Sequence, residues 1–152
     1  MGALFRSWSR GAEGYRRFVM QKKLMGDHFP NFSCSYSKRC LTCVGSITPE
    51  EGCATYSLKI SYVADHSPKV WVMSPKIALN KNIHVYSDGS LCLYYPKETP
   101  WQNTDNLHEK ILPWTAEWLV YYEIYLMTGV WRGKSAPHPM PRRSGTRSKH
   151  SI

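Results

Sequence analysis

The stretch that decides the fold is "CATYSLKISYV", Cys53–Val63, in which Tyr56, Leu58, Ile60 and Tyr62 alternate with Ser57, Lys59 and Ser61. Side chains on a strand point to opposite faces in turn, so this alternation marks a strand with one buried and one wet face, and Cys53 is expected to begin it. Downstream, "ADHSP" (64–68) reads as a turn, and "KVWVMSP" (69–75) resumes the alternation, with Val70 and Val72 against Trp71 and Met73. Pro75 closes it, because proline cannot donate to a ladder. Upstream, "TPEEG" (48–52) is a turn signal, and the β-branched residues ahead of it predict a strand at Cys40–Ile47. Three sequential strands with short connections predict an antiparallel meander.

Helical spacing appears on either side of this meander. From Ala3 to about Met25 the apolar residues Phe5, Trp8, Tyr15, Phe18, Val19 and Leu24 recur at helical intervals with basic residues between them. "GDHFP" (26–30) ends that helix, since Gly26 is permissive at a terminus and Pro30 cannot continue it. Toward the other end, Pro113 suits a first helical position. Trp114, Trp118, Leu119, Tyr122, Tyr125 and Leu126 give a broad packing face, and Gly129 suits the C-terminal cap. The run from Trp118 to Trp131 is too short to span a bilayer and carries Glu123 in its middle, so it predicts a core helix. The order is helix, meander, irregular segment, helix, and the fold class is α+β.

A chain of 152 residues with 42% hydrophobic residues has material for one core, expected over residues 1–133, with a basic, disordered tail over 134–152. The net charge of +9 invites a nucleic-acid reading, but much of it lies in the first segment and in that tail. A solvated helix face and a basic tail account for it better. The N-terminal segment has no continuous apolar stretch of the signal-peptide kind, so the chain is expected in the cytoplasm, with no membrane partner and its five cysteines as thiols.

Two cysteine settings compete for function. Cys34, Cys40, Cys43 and Cys53 fall within twenty residues, and "CLTC" (40–43) has the gap of many zinc sites. On a strand, however, that spacing puts Cys40 and Cys43 on opposite faces, which favours structural thiols over a small zinc-dependent nucleic-acid binder. No metal and no cofactor is expected. Cys92 stands in "NIHVYSDGSLCLYYP" (82–96), after a polar turn and among His84, Tyr86, Ser87, Asp88 and Tyr94. Its residues alone leave nucleophile and buried strand residue equally open, because a free thiol titrates near pH ~8.5 and needs activation to attack. His84 is either a loop residue or Cys92's partner, and neither a protease-like triad nor a G-x-S-x-G elbow is present.

The order of elements together with "NIHVYSDGSLCL" (82–93) resembles the ubiquitin-conjugating-enzyme fold. Gly89, Leu91, Cys92 and Leu93 match the context of that family's thioester-forming cysteine. His84, eight residues ahead of Cys92, stands where the family's His-Pro-Asn motif has its Asn, and Trp101 matches a tryptophan that follows the cysteine. The triplet here is Asn82-Ile83-His84, there is no room for the usual pair of C-terminal helices, and no clear equivalent of the acid that helps activate an attacking lysine is found. "PKVWVMSP" (68–75), "HVYSDGSLCLYYP" (84–96) and "ILPWTAEWLVYYEIYLMTGVW" (111–131) look instead like the bacterial branch encoded in short CBASS antiphage operons with a cyclic-oligonucleotide synthase (CD-NTase). The resemblance implies an acyl-transferase with Cys92 as nucleophile and His84, or else Tyr86, as oxyanion donor. It also implies a protein partner, the C-terminus of the synthase. The competing reading within the same fold is a non-catalytic binding module.

Overall fold

The computed structural model describes residues 2–77, 80, 82–94, 97 and 100–133, with 2–12 as backbone only. The tail at 134–152 and the side chains of Phe5 and Trp8 lie outside the described residues. A first helix, α1 (Gly2–His28), leads into strands β1 (Ser33–Tyr36), β2 (Cys40–Ile47), β3 (Tyr56–Val63) and β4 (Lys69–Ser74). After the irregular segment, one turn of π-helix (Leu107–Ile111) runs directly into α2 (Leu112–Thr128). The strands form one antiparallel sheet in the order β1-β2-β3-β4. The three strands expected from the sequence are present, and β1, for which "SCSY" offers no apolar period, extends the meander by one. Cys53 does not begin β3: it sits in the turn ahead of it, its N–H bonded to the Glu50 carbonyl at 3.0 Å, and the ladder starts at Tyr56 opposite Ile47.

One face of the sheet is dry. Tyr56, Leu58, Ile60 and Tyr62 of β3 are all buried, with Leu41 and Cys43 of β2 and Val70 of β4 beside them. Both helices cover this face, at opposite ends of β3. Phe18 of α1 meets Tyr62 edge-on at 5.6 Å, and Tyr122 of α2 meets Tyr56 at 6.5 Å. The other face keeps Ser57, Lys59 and Ser61 outward, and the Lys59 ammonium lies 5.8 Å from the Trp71 ring. Burying a large apolar side chain stabilises by about 1.5–3 kcal/mol, so this single dry face carries most of the driving force.

The helices differ from the sequence reading at named positions. On α1 the inward stripe is Phe18, Gln21 and Met25, whereas Val19 is 41% exposed. Gln21 is buried because its amide is fully used: it donates to the Asn106 side chain at 2.8 Å and accepts the Leu107 N–H at 2.9 Å. On α2, Trp118, Leu119 and Tyr122 are buried, but Leu126 is 61% exposed. Helical backbone also begins ahead of Pro113. A proline has no N–H for the carbonyl four residues back, and the turn before it is wound wider, with the Leu112 N–H on the Leu107 carbonyl. At the far end Gly129 caps α2 in the left-handed region (φ 72°), its N–H bonded to the Tyr125 carbonyl at 2.8 Å.

Candidate active site

Cys92 closes a short hairpin that the sequence reading left irregular. Val85 and Leu91 form an antiparallel bridge, so Tyr86 lies opposite Ser90 and His84 opposite Cys92. The Tyr86 N–H donates to the Ser90 carbonyl at 2.8 Å, and the Cys92 N–H to the His84 carbonyl at 2.9 Å. The turn is made by "SDG": Gly89 takes a φ of 84°, where a side chain would be strained, and its N–H returns to the Tyr86 carbonyl at 2.9 Å. The Asp88 carboxylate then accepts both the N–H and the hydroxyl of Ser90. This local bonding fixes the turn without help from the core.

Four longer-range bonds fasten the hairpin to the rest of the fold. The Leu91 N–H donates to the Val70 carbonyl at 2.9 Å, which docks the hairpin on the free edge of β4. Lys69 reaches the Asp88 carboxylate at 2.8 Å and the Trp71 indole donates to the Asp88 carbonyl at 3.1 Å. From the other side, the Trp118 indole of α2 donates to the His84 carbonyl at 2.9 Å, the same oxygen that holds the Cys92 N–H. One carbonyl thereby ties the cysteine to the core helix.

The thiol of Cys92 is half-buried and interacts with the Tyr86 phenol. Burial is the largest influence and raises its pKa, the hydrogen bond from Tyr86 works the other way, and the Asp88 charge raises it again, to about 11. Tyr86 is itself pushed well above the ordinary phenol value, first by burial and then by its bond to Cys92, so it stays a hydrogen-bond donor at neutral pH. Asp88 is held down to about 2, first by the Lys69 bond and then by the two from Ser90. A groove of about 460 Å³ runs along the hairpin, lined by Pro68, Lys69, Tyr86, Leu91, Leu93 and Tyr94 among others.

Of the residues singled out in the sequence, Cys92 and Tyr86 are brought together by their side chains. His84 comes to Cys92 through its backbone, while its ring packs 5.1 Å from that of Trp131, in a cluster with Trp118. Trp101 lies on the sheet, edge-on to Tyr62 at 5.6 Å. The sequence reading missed Lys69, Trp118 and Trp131 as supports of this hairpin. The Asp-Gly turn was a readable signal for it, whereas nothing local in "KVWV" or "TAEW" connects those residues to Cys92. The other four cysteines part company: Cys34 and Cys43 face each other, Cys40 lies near Ser61 on the opposite face, and Cys53 is beside Glu123. Among the described residues no group of three or more His, Cys, Asp and Glu is placed to hold a metal ion.

With this geometry in view, the family model of the type II CBASS E2 proteins matches residues 21–139. The chain belongs to that family. The matched span takes in the whole sheet, the Cys92 hairpin and α2, so everything that positions the thiol lies within it. An α+β architecture with a four-stranded antiparallel meander and two helices is consistent with the ubiquitin-conjugating-like fold. No curated protein matches the chain. As a CBASS E2-like protein it is associated with CBASS components, and none of its described helices is long and apolar enough to cross a membrane.

Proposed function

We infer that this protein acts in the cytoplasm as an acyl carrier of the ubiquitin-conjugating type. It holds the C-terminal acyl group of a protein partner, the cyclic-oligonucleotide synthase (CD-NTase) of its antiphage system, as a thioester on Cys92 and passes it to an amine. The observation that carries this reading is the Cys92–Tyr86 pair, presented on a hairpin held from β4 and from α2 beside an open groove. In the first step the Cys92 thiolate attacks an activated carbonyl of the partner and expels its leaving group. In the second, an amine attacks the thioester, the C–S bond breaks, the sulfur leaves as thiolate and the nitrogen loses a proton. A high-pKa sulfur is a strong nucleophile once ionised and a slow leaving group, which suits a carrier that must keep its cargo until the acceptor arrives.

Tyr86 donates to the sulfur in the free protein and to the developing charge during transfer. Removing one such donor costs about a hundredfold or more in rate where it serves the oxyanion. His84 fixes the cysteine backbone through its carbonyl, and its ring, packed on Trp131, holds that carbonyl in place. Co-expression with the synthase, followed by a non-reducing gel, tests the reading. An adduct should form with wild type, be cleaved by reductant or hydroxylamine, and be absent from Cys92→Ala, whose persistence of adduct would overturn the assignment. The raised thiol pKa and the missing His-Pro-Asn triplet favour one rival, a binding module without chemistry, for which Cys92→Ala keeps full protection in a phage challenge.

A further inference from the structure

Two thiols away from the Cys92 hairpin are aligned for a reaction of their own. Cys34 of β1 and Cys43 of β2 are direct partners in the register. The Ser37 N–H donates to the Cys40 carbonyl at 2.9 Å, and rungs of an antiparallel ladder alternate between bonded and unbonded. Cys34–Cys43 lies three rungs further on, and is therefore an unbonded rung, where side chains come closest. Cα atoms on such a rung stand about 4.5 Å apart, inside the roughly 4.4–6.8 Å that a disulfide spans. As direct cross-strand partners, the two side chains stand on the same side of the sheet. Cys43 is completely buried, while Cys34 sits half-buried on the edge strand, so one sulfur meets solvent and the other waits behind it.

We propose that Cys34 and Cys43 form a thiol-oxidation site, in which a peroxide oxidises Cys34 and Cys43 resolves it to a cross-strand disulfide. The Cys34 thiolate attacks one oxygen of the peroxide, the O–O bond breaks, and hydroxide leaves with Cys34 as sulfenic acid. The Cys43 sulfur then attacks the Cys34 sulfur and water leaves. The two thiols have lost two electrons and two protons, and the peroxide has become two waters. A small dithiol reverses the change by exchange.

The electrostatics favour this site over Cys92. The Cys43 S–H bond lowers the Cys34 pKa, burial opposes it, and the Lys22 charge adds to the lowering, whereas Cys92 is pushed up to about 11. Thiolate fraction then favours Cys34, whose pKa lies below the ordinary thiol value while that of Cys92 lies above it, and the weaker nucleophilicity of a more acidic thiolate returns only part of the difference. The sheet pair thus takes an oxidant before the hairpin thiol does.

The test exposes purified wild-type protein to hydrogen peroxide near stoichiometry and maps tryptic peptides without reduction. Lys38 and Arg39 lie between the two cysteines, so a disulfide joins two separate peptides. The expected result is that linked pair, short of two hydrogens and released by dithiothreitol, with Cys92 still reduced. Cys92 oxidised first, or Cys34 taken to sulfinic acid without pairing, would overturn the proposal. In Cys43→Ala the Cys34 sulfenic acid should persist long enough to be trapped by dimedone. Should that buried substitution unfold the chain, Cys34→Ser on the half-exposed side decides the matter: Cys43 must then stay reduced, and its oxidation would refute Cys34 as the point of entry.

Discussion

The sheet and the Cys92 hairpin adjoin each other along β4 yet are built on different principles. The sheet is held by repetition: every second residue of β3 is buried, and backbone ladders on both sides set its register. The hairpin has one bridge of its own and depends on particular side chains: Asp88 within its turn, and Lys69, Trp71 and Trp118, which bond its backbone or turn atoms from elsewhere in the chain. Removing a repeated element weakens the whole fold, whereas removing one fastening of the hairpin acts on the thiol. That contrast separates substitutions by what they change, stability or reactivity.

The largest effect is expected in the sheet. Ile60 is fully buried in β3, opposite Cys43 and Val70. Ile60→Ala should cost about 2–5 kcal/mol of unfolding free energy through lost burial and the cavity left behind. A denaturant titration reads it as a lower midpoint with an unchanged slope. A loss below about 1 kcal/mol would mean the dry face is less tightly packed than its burial indicates.

Tyr86→Phe should reverse the pattern, with stability nearly unchanged and chemistry slowed. Its phenol is the group that lowers the Cys92 pKa against burial and Asp88, so its loss leaves the thiol still less ionised. A hydrogen bond to a charged group is worth about 1.5–3 kcal/mol, which corresponds to about ten- to a hundredfold in rate at neutral pH. The pH profile of alkylation at Cys92 carries the sign: for wild type it rises toward about 11, and in the variant its midpoint moves up. A midpoint moving down would remove Tyr86 as the thiolate's donor.

Trp118→Phe tests the fastening from α2 at smaller expected cost. The His84 carbonyl loses the indole donor but keeps the Cys92 N–H, so no buried acceptor is stranded and the price is an ordinary bond with some packing, about 1–2 kcal/mol. The specific readout is hydrogen exchange at the Cys92 amide, which should quicken while amides of β2 and β3 do not. Uniform quickening would show that the indole supports the fold as a whole.

The same division explains what could be read in advance. β3 and β4 were legible because Tyr56 to Tyr62 and Val70 to Met73 repeat with the period of a strand, and Gly129 was legible because a left-handed cap wants glycine. β1 was not, since Ser33 to Tyr36 has one clearly apolar ring and is defined by its partner β2. Gln21 was passed over because a buried amide looks polar until Asn106 and Leu107, 85 and 86 residues away, supply its bonds. At the candidate site, Cys92 and Tyr86 were visible as chemistry close in sequence. The Trp118 and Lys69 fastenings were not, because each is a contact across the fold with no local period to announce it.

The smallest effect is expected at the pair that looks most prominent on the surface. Lys69 and Asp88 meet at 2.8 Å, but their side chains are 55% and 38% exposed, so water screens most of the attraction. Lys69→Ala should therefore cost less than about 1 kcal/mol, and Asp88 keeps its two bonds to Ser90 in the variant. The pH dependence has a definite sign. Asp88 is held from the ordinary 3.8 down to about 2, so its contribution is fully present above 3.8 and is lost as pH falls through about 2. In Lys69→Ala that acid-side loss should begin at higher pH, because the largest influence holding the carboxylate down has gone. Acid titrations of wild type and variant, followed by near-ultraviolet circular dichroism, measure the displacement. If the two curves coincide, the Ser90 bonds alone hold Asp88, and the hairpin turn is as self-sufficient as a strand of the sheet.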